Sequence, residues 1–222
     1  MTHHPQNGSV IIWILIAIFL FAGLGFAMMK GSQTSTSMVT DEIVQSYARQ
    51  IVADGNIFQQ SARRLILNGV TDTGISFENP VDGGYINPAC TKPKCKIFDP
   101  AGGGMGWITY TPQVNDGSGW LFTTNRINNI GTTGITDLVA FLPNIKLDVC
   151  KKINEMVAFG TAGANPPQEQ NTVDLTKFIG AYGSTVMDDA GSVFEGKTQG
   201  CFQGGGTPAT SQYYYFQVLL AR

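Results

Sequence analysis

The chain has 222 residues, a net charge of −2 and a pI near 5.6, and only 14% of its residues are charged. That balance gives no nucleic-acid footprint, and the length suits one domain beside a long helix. The two histidines, His3 and His4, both stand at the extreme N-terminus. This excludes a Ser–His or Cys–His nucleophile pair, or a His-bearing metal site, in the rest of the chain. No carboxylate pair stands out among the sixteen acids, so the residues read as a non-enzyme with no cofactor.

Residues 1–8, MTHHPQNG, contain no Lys or Arg and form a poor secretory n-region. They read as a leader or a cytoplasmic tail. Residues 10–29 are twenty positions with no charge and no strongly polar side chain, and Lys30 ends the run. At ~1.5 Å per residue this matches the ~30 Å hydrocarbon core of a bilayer. Backbone amides in lipid must pair internally, so a transmembrane helix is expected over 9–30. Val10, Trp13, Ala17, Phe21 and Met28 are candidate positions on its membrane or assembly surface. No clean A-x-A site follows, which favours a retained anchor over a removed signal.

Residues 31–38 are a short polar break. Asp41 and Glu42 then place acid at the start of a helical pattern, where the helix dipole prefers it. Ile43, Tyr47, Ile51, Phe58, Ala62, Leu65 and Ile66 recur at helical spacing. Arg49, Gln59, Gln60, Arg63 and Arg64 fill the other face. Gly55 predicts a kink, at a cost of ~1 kcal/mol relative to Ala, and Asn68-Gly69 is a C-terminal cap signal. An amphipathic helix over 31–69, continuing the first, would make one element on the order of 90 Å long.

Residues 70–222 are expected to fold as one α+β domain in which the long helix packs on an antiparallel sheet with an additional helix. Gly102-Gly103-Gly104-Met105-Gly106 has no Gly-Lys-Ser/Thr ending and no following helix pattern, so it reads as a flexible turn rather than a phosphate loop. Trp107–Tyr110 and Trp120–Thr124 have strand character around the turn signal Asn115-Asp116-Gly117, which predicts a hairpin. Residues 136–142 read as a short helix or a connection. Ile145, Val149, Ile153 and Val157 predict an amphipathic helix over 143–158. Residues 173–180 are ambiguous between helical turn and strand, and Asp188-Asp189 reads as a solvated turn. Gly200-Cys201-Phe202 should end a strand. Residues 213–220, YYYFQVLL, are too apolar for a free edge and should be paired centrally or covered by the long helix.

The four cysteines are Cys90, Cys95, Cys150 and Cys201. An even count beyond a membrane segment points to disulfides in an oxidising compartment, which puts the N-terminus in the cytoplasm and the domain outside. Three connectivities are possible. A local bridge across TKPK would pair Cys90 with Cys95 and leave Cys150 to join the helix to Cys201. The rival reading is a Cys₄ metal site, although C-x₄-C fits zinc-knuckle spacing poorly.

The short polar leader ending in Gly8, the apolar helix starting at Ser9 and the amphipathic helix that follows resemble type IV pilin-like and pseudopilin-like proteins. So does the second half, with LPNIKLDVCKKINEMVAFG, Gly200-Cys201-Phe202 and the terminal tyrosine-rich strand. The resemblance implies cleavage by a prepilin peptidase between Gly8 and Ser9. It also implies a helix that first anchors the subunit in the bacterial inner membrane and then packs in a filament core. The chain departs from the usual pattern at the first mature position, Ser9, and at the fifth, where Trp13 stands in place of Glu. The resulting expectation is a structural subunit of a type IV pilus-like or type II secretion pseudopilus-like filament. It would be single-pass, with a periplasmic or extracellular C-terminal domain, and would assemble with itself or related pilin-like subunits. The alternative is a membrane-anchored periplasmic or surface binding module of an envelope complex.

Overall fold

A computed structural model describes residues 9–222, with side chains described at 12–21 and 40–222. Helix α1 runs Ser9–Leu67, and the chain divides into two compact units between Ile43 and Val44.

In the first unit the described side chains, residues 12–21 and 40–43, are all exposed on helical backbone.

In the second unit α1 buries Ala48, Ile51, Gly55, Phe58, Ala62 and Leu65, steps of three and four that put them on one face. Ile43, expected on that face, is exposed. The helix passes through Gly55 without interruption. Its end is closed as anticipated: the Gly69 N–H donates to Ile66 O at 2.9 Å and the Val70 N–H to Leu65 O at 3.0 Å. This paired bonding uses carbonyls the helix itself leaves open.

The sheet contains β1 (Leu121–Ile127), β2 (Asp137–Leu142), β3 (Val186–Met187), β4 (Gln199–Gln203) and β5 (Tyr213–Leu220), with α2 (Leu147–Val157) between β2 and β3. The strand order is β3-β1-β2-β5-β4. The pairs β1–β2, β2–β5 and β4–β5 are antiparallel, but β1–β3 is parallel. The fold is therefore α+β with a mixed sheet, which corrects the antiparallel expectation. The β3 contact is only two residues long, too short to leave a periodic signal in the sequence.

Both faces of the sheet are covered, and the strands alternate between two cores. Leu138, Ala140 and Leu142 of β2, with Tyr215 and Leu219 of β5, join α1 and α2 in one core. Val139 and Phe141, with Tyr214, Phe216 and Val218, join Phe159, Phe194 and Phe202 in the other. β5 lies between β2 and β4, the central pairing its composition requires. The same two-sided burial explains β2. A run apolar at successive positions has no period-2 signal, so residues 136–142 resembled a short helix although all six residues of the strand are buried.

Two further expectations are corrected. Residues 107–110 are not a strand, and no hairpin forms with β1. At β1 the Phe122 N–H donates to the Tyr85 hydroxyl at 3.1 Å, and the Phe122 carbonyl accepts from Phe178 N–H at 2.9 Å, so those groups are already used. The predicted helix over 143–158 begins only at Leu147. The Ile145 N–H donates to Tyr213 O and the Lys146 N–H to Val114 O, each at 2.9 Å, which holds the preceding residues extended. Gly102 and Gly103 are buried against the Lys96 and Ile97 carbonyls, where a Cβ would clash; the segment is packed rather than flexible.

Candidate assembly surface and the domain that carries it

Residues 12–21 present Ile12, Trp13, Ile14, Leu15, Ile16, Ile18, Phe19, Leu20 and Phe21 as exposed large hydrophobic side chains. Trp13 is 69% exposed and Phe21 77%, and Ala17 is exposed between them. The side chains therefore project around the whole helix rather than along one stripe, as in helices destined for an apolar environment. Ser9 is the first residue of α1. Gly8 and the two histidines lie outside the described residues, as do the side chains of Ser9, Val10 and Met28. Among the described residues, no helix is long and apolar enough to cross a membrane. Residues 22–29 of the predicted span lie outside the described side chains.

In the second unit the helix is held to the domain by an aromatic cluster. Phe58 meets Phe122 at 5.1 Å, Trp120 at 5.2 Å and Phe98 at 5.9 Å between ring centroids, all edge-on. Phe77 stacks on Phe122 at 4.1 Å. These geometries suit the ring quadrupoles and add to the ~2–3 kcal/mol expected from burying each ring. Polar contacts fix the register. Gln59 Nε2 donates to Val218 O of β5 at 2.8 Å, and the Tyr110 hydroxyl donates to Asp54 Oδ2 at 2.6 Å. Burial raises the Asp54 carboxyl above its usual range, and the tyrosine bond partly offsets that.

The cysteines form two disulfides, Cys90–Cys95 and Cys150–Cys201. The first closes a local loop. The second ties α2 to β4 in the α1-side core. Sulfur is thus committed to covalent cross-links, and among the described residues no group of His, Cys, Asp and Glu could hold a metal ion.

Nothing similar was found: no protein-family model, no curated protein and no solved structure matches the chain.

Sequence reasoning missed the side chains that close the β4 edge. Asn154 of α2 bonds both backbone groups of Cys201. Gln203 N–H donates to Pro167 O, and Gln203 O accepts from Glu169 N–H, each at 2.9 Å. An asparagine on an amphipathic helix carries no sequence signal for this role. Glu169 was missed as well. It is fully buried, its Oε1 accepts from Asn171 N–H at 2.9 Å and Asp188 N–H at 3.4 Å, and its Oε2 is without a partner. Burial raises its carboxyl to about 7. Asp188-Asp189, expected as a solvated turn, is half-buried, and Asp189 accepts from the Gly191, Val193 and Phe194 N–H groups of the turn that follows.

Proposed function

We propose that the chain is a structural subunit of a type IV pilus-like or type II secretion pseudopilus-like filament. The observation that supports this most directly is residues 12–21, ten consecutive helical positions that are all exposed and almost all large and apolar. Such a surface needs lipid or other helices around it. In the proposed mechanism α1 is one assembly element with a transmembrane first part and an amphipathic second part. The apolar part resides in the inner membrane, then exchanges lipid for neighbouring helices, while the disulfide-bonded domain forms the outer surface. With Trp13 at the fifth mature position, no carboxylate is available there to pair with a neighbour, so packing alone drives association. A subunit of this kind suits a minor or specialised role.

The test is to co-express the full chain with a prepilin peptidase, read the N-terminus of assembled material by mass spectrometry, and map cross-links from cysteines placed along residues 12–21. The expected result is a new N-terminus at Ser9 with helix-to-helix links between copies or related subunits. An intact Met1 in assembled material would overturn the processing step. A stoichiometric hetero-complex with no pilin-like neighbour would overturn the filament reading in favour of an anchored binding module.

A further inference from the structure

The end of β1 opens onto a cavity of about 280 Å³ lined by Arg126, Asn128, Asn129, Thr132, Thr133 and Glu195, with Ile127, Ile130 and Gly134 completing the wall. Its size is just below the range of ligand clefts, about 300–1,000 Å³, and suits a ligand no larger than a monosaccharide. The lining is mainly polar, and amides, hydroxyls and one charge of each sign converge on it.

Arg126 is the feature that demands explanation. Its Nε is buried with no hydrogen-bond partner, and among the described residues its guanidinium has no ion pair. Its backbone is fixed: Arg126 N–H donates to Thr185 O at 2.8 Å, and the residue pairs with Val186 of β3. A carboxylate is available in the same cavity, but Glu195 Oε2 instead accepts from Asn129 Nδ2 at 2.9 Å. The cation is therefore held half-buried with its Nε shielded from water and without a partner, although buried polar groups are nearly always paired. A planar guanidinium is matched by a carboxylate, which takes two parallel N–H bonds. Thr132 and Thr133 suit hydroxyl groups on the remainder of such a ligand, as either donor or acceptor.

We propose that this cavity binds a small hydroxylated carboxylate, the chemistry of an acidic monosaccharide, with its anion on Arg126 and its hydroxyls toward the two threonines. The site lies in the second unit and is independent of the filament reading.

Titration of the full-length chain with D-glucuronate, followed by calorimetry or by NMR shifts of Arg126 and its neighbours, tests it. Glucuronate should bind about tenfold or more tightly than the neutral glucuronamide and than acetate, because each lacks one half of the recognition. Arg126→Gln should abolish binding. Glu195→Gln removes the like charge beside the ligand and retains an acceptor for Asn129, so it should tighten glucuronate binding several-fold. That gain cannot come from misfolding, and it keeps the proposal testable if the arginine variant folds poorly. Equal affinity for glucuronate and glucuronamide, no binding of glucuronate, or unchanged affinity in Glu195→Gln would each overturn it.

Discussion

Asn154 stands beside Cys201 as a neighbouring strand would: its Nδ2 donates to the Cys201 carbonyl and its Oδ1 accepts the Cys201 N–H, both at 2.8 Å. The edge of β4 is thereby closed by a side chain from α2, four residues beyond the cysteine that is bonded to Cys201. An open edge is a template for pairing with another chain, so this contact has consequences for solubility as well as stability.

Asn154→Ala leaves a buried N–H and a buried C=O unpaired. At ~1–3 kcal/mol for each orphaned group, a total loss of about 2–6 kcal/mol is expected in urea unfolding. Concentration-dependent self-association should rise as the edge opens. A variant with wild-type stability would show that the contact is dispensable.

The two disulfides should contribute unequally. Their sequence separations are 51 for Cys150–Cys201 and 5 for Cys90–Cys95. The chain-entropy relation gives about 4 kcal/mol for the long loop and about 2 kcal/mol for the short one. Replacing each pair by alanines and comparing denaturant midpoints checks this. Because Cys150 and Cys201 are both fully buried, their loss also leaves space in the α1-side core, which adds to the difference. A larger effect from the Cys90–Cys95 pair would contradict the ordering.

What the sequence revealed depended on whether a segment meets one environment or several. The docked part of α1 has one apolar face, and its spacing located Ile51, Phe58, Ala62 and Leu65 correctly. β5 was legible because five of its eight residues, Tyr213 to Phe216 and Val218, are strong strand formers. β2 was not, because burial on both faces erased its period. The missing 107–110 strand and the late start of α2 have a common cause: Phe122, Ile145 and Lys146 bond to groups far away in the chain, which no local pattern encodes. In the cavity beside β1, Arg126 carries no signal in the sequence, since its lack of a partner exists only in the folded chain.

Gly55 illustrates a local rule reversed by packing. Helix propensity favours Ala there by ~1 kcal/mol. A Cβ at this position would lie 2.8 Å from Tyr215 Oη, 3.0 Å from its Cε1 and 3.2 Å from Gln217 Oε1. Tyr215 is fully buried, and its hydroxyl is within 2.9 Å of Gln217 Oε1 and 3.1 Å of Gln199 Oε1, so it cannot easily withdraw. Gly55→Ala should therefore destabilise by about 1–3 kcal/mol, the usual range for overpacking, despite the propensity gain. Thermal unfolding of the variant decides the sign: a raised Tm would mean that the helix moves away from β5 at little cost.

Glu169 makes stability depend on pH in a direction opposite to that of a paired carboxylate. Burial is the main cause of its raised value, the nearby charge of Asp188 adds to it, and the Asn171 and Asp188 N–H groups partly offset it. The folded carboxyl titrates at about 7 against an ordinary value of 4.5, so between those values the folded chain holds a proton that the unfolded chain has released. Stability from this group is complete below 4.5, falls as pH rises to about 7 and is then constant at its lower level. Glu169→Gln keeps an oxygen for the two N–H groups and has no charge to bury. It should match the wild type in acid and exceed it above neutrality by about 1–3 kcal/mol, the scale of a shift of this size after relaxation. Urea unfolding of both proteins from about pH 4 to 8 reads this directly, and parallel curves across that window would show that Glu169 ionises in the folded state as freely as in the unfolded one.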